Sequence, residues 1–266
     1  MHDLEPLVFG NQWVFCVAIA LLLLGVSETG YRIGLRLFAA RDEARRSQIG
    51  GIQGAILGLL GLLLGFTFSM AVTRFETRRD FVLREANVIG TTWLRADLLP
   101  EAHRTAAKAL LKRFVDVRVE YQRVTDDAAR LAEGLRVCAE IENALWQQAL
   151  EAVREAPTPI TAMFINSLNE MIDTDPARET AGRNEIPSAV WLLLLIVAGA
   201  GCFTTAYGSG AAGARSAFTA AILPLLITVV IVLIFDLMHP HQGIVSIDQK
   251  PMLDLQQRIG AQAGAS

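Results

Sequence analysis

SQIGGIQGAILGLLGLLLGFTFSMAVT, residues 47–73, contains no Asp, Glu, Lys or Arg. At ~1.5 Å per residue, a helix of this length exceeds the ~30 Å hydrocarbon layer of a bilayer. Three other stretches share the property: Pro6–Ser27, Ile186–Ala214 and Ser216–Phe235. The reading is therefore an all-α membrane protein with four transmembrane helices, at about 8–31, 49–73, 187–207 and 216–237. Between the second and third spans lies a charged segment, 74–185, expected to form a helical soluble domain. Residues 239–266 read as a C-terminal tail.

Composition agrees, with 52% hydrophobic and 19% charged residues, most of the charge falling between Arg74 and Glu185. Asp3 and Glu5 stand where a secretory leader would carry basic residues, so the N-terminus is expected to be retained. Cys16, Cys138 and Cys202 are an odd, dispersed set that suggests neither a disulfide framework nor a zinc site. A net charge of −3 gives no reason to expect nucleic acid. No cofactor is implied.

Helical spacing organises the charged segment. Phe81, Val82, Val88, Ile89 and Trp93 continue the second span beyond the membrane. Pro100-Glu101 opens a helix to about Val124 with Leu110, Leu111, Phe114, Val117 and Tyr121 on its apolar stripe. Thr125-Asp126-Asp127 offers cap chemistry for the next, which runs to about Ala156 and carries Leu131, Leu135, Val137, Ile141, Leu145 and Leu150. Pro157 and Pro159 end it, and a last helix covers Ile160 to about Asp173.

Gly51, Gly54, Gly58, Gly61 and Gly65 recur every three or four residues, forming one seam along the second span. Such a seam lets helix backbones approach closely in lipid. It serves either packing within one subunit or a helix that lines a pore in an oligomer. Beside it, Leu62, Phe66, Ser69 and Thr73 share a stripe that ends near Arg74, Arg78 and Arg79. Apolar rings can gate by dewetting, aromatic ring edges tolerate anions, and basic side chains at a mouth raise the local anion concentration. Equally, Phe66 can be lipid-facing bulk and the arginines interfacial anchors.

Leu64-Gly65-Phe66, followed after six residues by Thr73-Arg74-Phe75, resembles the pore-helix segment of bestrophins, and Ile186-Pro187 is similar to the dipeptide before their third span. The runs GFTFSMAVTRFETRR, EANVIGTTWLRADLLP, NEMIDTDPAR and FDLMHPHQG with PMLDL resemble bacterial membrane proteins labelled bestrophin-like, over almost the whole chain. The resemblance implies a homopentamer in a bacterial inner membrane that conducts small anions through a hydrophobic neck. Its neck positions fall on Phe66 and Leu62, and the next falls on Gly58, where bestrophins carry a bulky aliphatic. One constriction ring is thereby removed. The calcium site of animal bestrophins needs a dense acidic cluster after the last span, and here only Asp248 and Asp254 follow Asp236, too few for six to eight oxygens.

Other candidates carry less. His239-Pro240-His241 could hold a metal but reads better as interfacial. Glu28 and Asp236 sit at span ends, where structural or solvated roles suffice. Pro224 should kink the fourth span or free a carbonyl. Glu85 and Asn87 either bind an ion or join helices. The arginines at 32, 36, 41, 45 and 46 mark a cytoplasmic loop or headgroup contact, which places the helical domain outside, whereas the resemblance implies the reverse. Orientation stays open.

Enzyme motifs are absent: there is no phosphate loop, nucleophile elbow or His-Glu-x-x-His helix. A membrane-anchored sensor or assembly protein is the competing reading. A proton-driven motor channel would need an ionisable residue at mid-span, which the uncharged windows lack.

Overall fold

The computed structural model describes residues 12–37, 43–122, 128–183, 186–213, 217–238 and 245–263. Every regular element among them is helical: α1 (Gln12–Leu37), α2 (Glu43–Arg95), a short 3-10 turn (Ala96–Leu98), α3 (Glu101–Gln122), α4 (Ala128–Glu155), α5 (Pro159–Arg183), α6 (Ser188–Ala211), α7 (Ala217–Met238) and α8 (Lys250–Ala263). Among the described residues, four segments are long and apolar enough to cross a membrane: Trp13–Arg36, Ser47–Leu98, Ser188–Ala211 and Ala220–Met238.

The chain divides into two compact units, Met1–Phe75 with Glu185–Ser246, and Glu76–Asn184 with Ile247–Ser266. In the first, Phe15, Ile19 and Leu23 of α1 pack with Leu60 of α2, Leu194 and Ala198 of α6, and Ile227, Ile231 and Phe235 of α7. Phe15 stacks on Phe235 at 4.3 Å between ring centroids. Helices α1 and α6 approach backbone to backbone at three glycines. A methyl built on Gly30 would lie 2.5 Å from the Phe203 carbonyl oxygen, and one on Gly34 or Gly210 would overlap the carbonyl of Tyr207 or Tyr31. Only glycine permits such an approach.

The second unit has its own core, built from Ile89 and Trp93 of α2, Leu111 and Phe114 of α3, Ile141 and Leu145 of α4, and Phe164 and Leu168 of α5. Met252, Leu255 and Ile259 of α8 complete it, and Gln262 accepts a 2.6 Å hydrogen bond from the Trp93 indole.

Several expected boundaries shift. Helix α1 extends to Leu37, past the expected end at 31, because Arg32 reaches back one turn to Glu28 at 2.7 Å and keeps the charged turn helical. Helix α5 continues to Arg183 although residue 176 is a proline. What read as a tail contains α8, whose first turn is capped by a 2.8 Å bond from the Lys250 N–H to the Asp248 carboxylate. Helix α7 runs through Pro224 unbroken, and Thr228 donates to the Pro224 carbonyl. Cys16, Cys138 and Cys202 are not joined in disulfides.

Candidate functional site

Helix α2 is 53 residues long, roughly 80 Å, far more than one bilayer crossing requires. Its apolar part presents two unlike faces. Leu60, Thr67 and Ala71 are buried against the first unit, with Ile56, Leu57, Leu63 and Leu64 half-buried beside them. On the other side Gly58, Ser69 and Thr73 are exposed, Leu62 is 54% exposed and Phe66 65%. Thr73 donates to the Ser69 carbonyl one turn back, so this hydroxyl partly satisfies itself along the helix. Among the described residues, and leaving aside the helix's own backbone, nothing comes within 4 Å of a methyl built on Gly51, Gly54, Gly58, Gly61 or Gly65. Among the described residues, packing of this seam within one subunit is not observed, and the glycines whose added methyl would meet another helix's backbone are Gly30, Gly34 and Gly210.

Of the three arginines beyond the stripe, Arg74 and Arg78 are half-buried and Arg79 is exposed. The Arg74 Nη1 atom is buried with no hydrogen-bond partner among the described residues.

Glu85 joins helices. It is buried and paired with Arg118 of α3, which is 1% exposed. Arg118 also donates to the Tyr121 hydroxyl and lies 5.5 Å from the Phe114 ring centroid. The Tyr121 ring occupies the space a side chain at Gly134 of α4 would need. Arg118 carries this network, and the apolar stripe of α3 could have revealed it, because 111, 114, 118 and 121 follow helical spacing. Asn87, by contrast, is exposed and lines a groove of about 370 Å³ with Asp80, Leu83, Arg84, Val88, Thr91, Ser167 and Glu170.

Asp236 is 2% exposed and accepts a 2.9 Å hydrogen bond from the Val245 N–H, a structural role. Removing the acceptor orphans that donor, so Asp236→Ala is expected to cost about 1–3 kcal/mol and Asp236→Asn distinctly less. Thermal unfolding of the detergent-solubilised protein compares them. His239, Pro240, His241, Arg41 and Asp42 lie outside the described residues, as do Thr125, Asp126 and Asp127. Among the described residues no group of three or more His, Cys, Asp or Glu side chains could hold a metal ion.

The model of the bestrophin-like domain matches residues 18–252. The chain belongs to the bestrophin-like family. Its fold agrees with a variant of a bacterial bestrophin homologue from Klebsiella pneumoniae at a TM-score of 0.65 and 17% identity, covering 94% of this chain and 97% of that one. A structure of the same homologue solved by zinc phasing gives 0.63 and 17%, covering 94% and 98%. A third, described simply as a membrane protein, gives 0.65 and 16%, covering 94% and 98%. No curated protein matches the chain. The bestrophin-like match ends within the first turn of α8, so most of that helix lies outside it.

Proposed function

We propose that this bestrophin-like protein assembles with copies of itself, as a homopentamer in a bacterial inner membrane, into a channel for small anions such as chloride. Gly58, Leu62, Phe66, Ser69 and Thr73 line the conduit, Arg74, Arg78 and Arg79 lie near its mouth, and Gly51, Gly54, Gly61 and Gly65 let neighbouring copies approach. Helices of the unit 76–184 form a soluble domain.

The observation that carries this reading is the bare face of α2. Leu62 and Phe66 are large, exposed and one turn apart on a helix whose opposite side is packed. Copies of that helix around an axis would bring the Leu62 and Phe66 side chains into successive apolar rings, a barrier by dewetting. Gly58 adds no third ring, so the neck is short.

Purified full-length protein reconstituted in planar bilayers tests the reading. Phe66→Ala is expected to raise chloride current on the order of tenfold, the effect of a barrier lowered by about 1.4 kcal/mol, with particle size unchanged. A monomeric or dimeric particle without conductance would overturn it and favour a membrane-anchored sensor or assembly protein.

A further inference from the structure

Asn87, which the sequence leaves open between an ion site and a helix contact, lines the groove of about 370 Å³ between α2 and α5, wholly within the second unit. A cleft of this size with an apolar floor and a few placed polar groups is what a small-molecule site requires. Among the described residues, neither the Asn87 side-chain amide nor the Asp80 carboxylate has a hydrogen-bond or ion-pair partner. Arg84 stands between them on α2 and faces Glu170 of α5 at 3.5 Å, with the two side chains 62% and 54% exposed. Such a pair contributes little and opens readily. The groove thus presents one guanidinium, two carboxylates and one amide above Leu83 and Val88, a net charge of −1.

We propose that this groove binds a free basic amino acid of the lysine type, its carboxylate on Arg84 and Asn87, its terminal ammonium on Asp80 and its α-ammonium on Glu170. A ligand with one carboxylate and two ammonium groups complements the charges present, and the guanidinium takes a carboxylate in a bidentate fork. Asp80 precedes Arg84 by one turn, about 6 Å along α2, a reach that a flexible four-carbon stem covers. The methylenes of such a stem settle on apolar surface while the ammonium stays at a polar rim, and Leu83 and Val88 supply that surface. Binding exchanges the 3.5 Å Arg84–Glu170 contact for one ligand group on each side chain. Every residue of the site lies between 76 and 184, so the site is independent of any conduit along the membrane-spanning part of α2.

Isothermal titration of the purified full-length protein in detergent with lysine, norleucine and cadaverine at matched ionic strength tests this. Lysine is expected to bind. Norleucine, which lacks the terminal ammonium, and cadaverine, which lacks the carboxylate, should bind about tenfold more weakly or worse, each having lost one charge-assisted contact. Arg84→Gln and Asp80→Asn should each weaken lysine binding about tenfold, whereas Glu133→Gln, which removes an exposed carboxylate of α4, should leave it unchanged. All three side chains are exposed, so matching elution profiles exclude misfolding as the cause of a loss. No binding of lysine, equal binding of norleucine or cadaverine, unaltered affinity in Arg84→Gln or Asp80→Asn, or an equal loss with Glu133→Gln overturns the proposal. Chloride conductance in a protein that ignores lysine overturns it alone and leaves the channel standing, and lysine binding by a monomeric particle without conductance does the reverse.

Discussion

Replacing Arg118 by Leu is expected to cost about 3–5 kcal/mol, because it strands the buried carboxylate of Glu85 in an apolar core without its partner. The guanidinium is enclosed by Phe114 and Tyr121 of its own helix and bonded to Glu85 of α2, so water cannot replace it. Glu85→Leu, the reciprocal change, strands the guanidinium at comparable cost. Changing both at once removes two desolvated charges together, and the Glu85→Leu/Arg118→Leu protein should recover most of the loss. Thermal unfolding of the four proteins in detergent gives the cycle. If the double variant were as unstable as either single one, Arg118 would matter for its shape and its bond to Tyr121 rather than for the charge it balances.

That network marks where sequence reading stops. Glu85 stands out in the sequence as a polar residue on an otherwise periodic helix, and an inter-helix bond is one of its two readings. Its partner is harder to see. Arg118 occupies a core position of α3, between Phe114 and Tyr121, but an arginine in a helix with several charges looks like surface until a buried carboxylate faces it. The four spans are legible because a charge-free run of such length has few other uses. Their ends are not, since a local pair such as Glu28–Arg32 lets charged turns stay helical. Helix α8 has a readable stripe, Met252, Leu255 and Ile259, preceded by a capping Asp248, but it is short and terminal, and only its burial in the second unit gives it weight.

The bare face of α2 was legible as a periodic seam, yet periodicity does not say what a seam meets. The five glycines from Gly51 to Gly65 have the spacing of a helix contact, yet a methyl on any of them would meet no other helix among the described residues, while Gly30, Gly34 and Gly210, set among charged or mixed residues, carry the tight contact between α1 and α6. A glycine's spacing is written in one helix, whereas its contact depends on where a second helix runs.

This contrast makes the two glycine sets separable by experiment. Gly34→Val is expected to cost about 3 kcal/mol or more, because its first carbon already overlaps the Tyr207 carbonyl and lies 3.1 Å from the Ala211 N–H nitrogen, so α1 and α6 must move apart along their length. The obstacle is backbone, which cannot step aside as a flexible side chain could. Loss of the folded protein, read by its melting temperature in detergent, should follow whatever the protein concentration. Gly61→Val places its first side-chain carbon where, among the described residues and apart from the helix's own backbone, no atom lies within 4 Å, so the isolated chain is expected to stay folded. If copies of α2 meet along that seam, Gly61→Val should instead shift the particle from oligomer toward monomer, with a concentration dependence that Gly34→Val lacks. A Gly61→Val protein with unchanged assembly would mean the seam faces lipid, and the packing role proposed for Gly51, Gly54, Gly61 and Gly65 would fall while the fold stood.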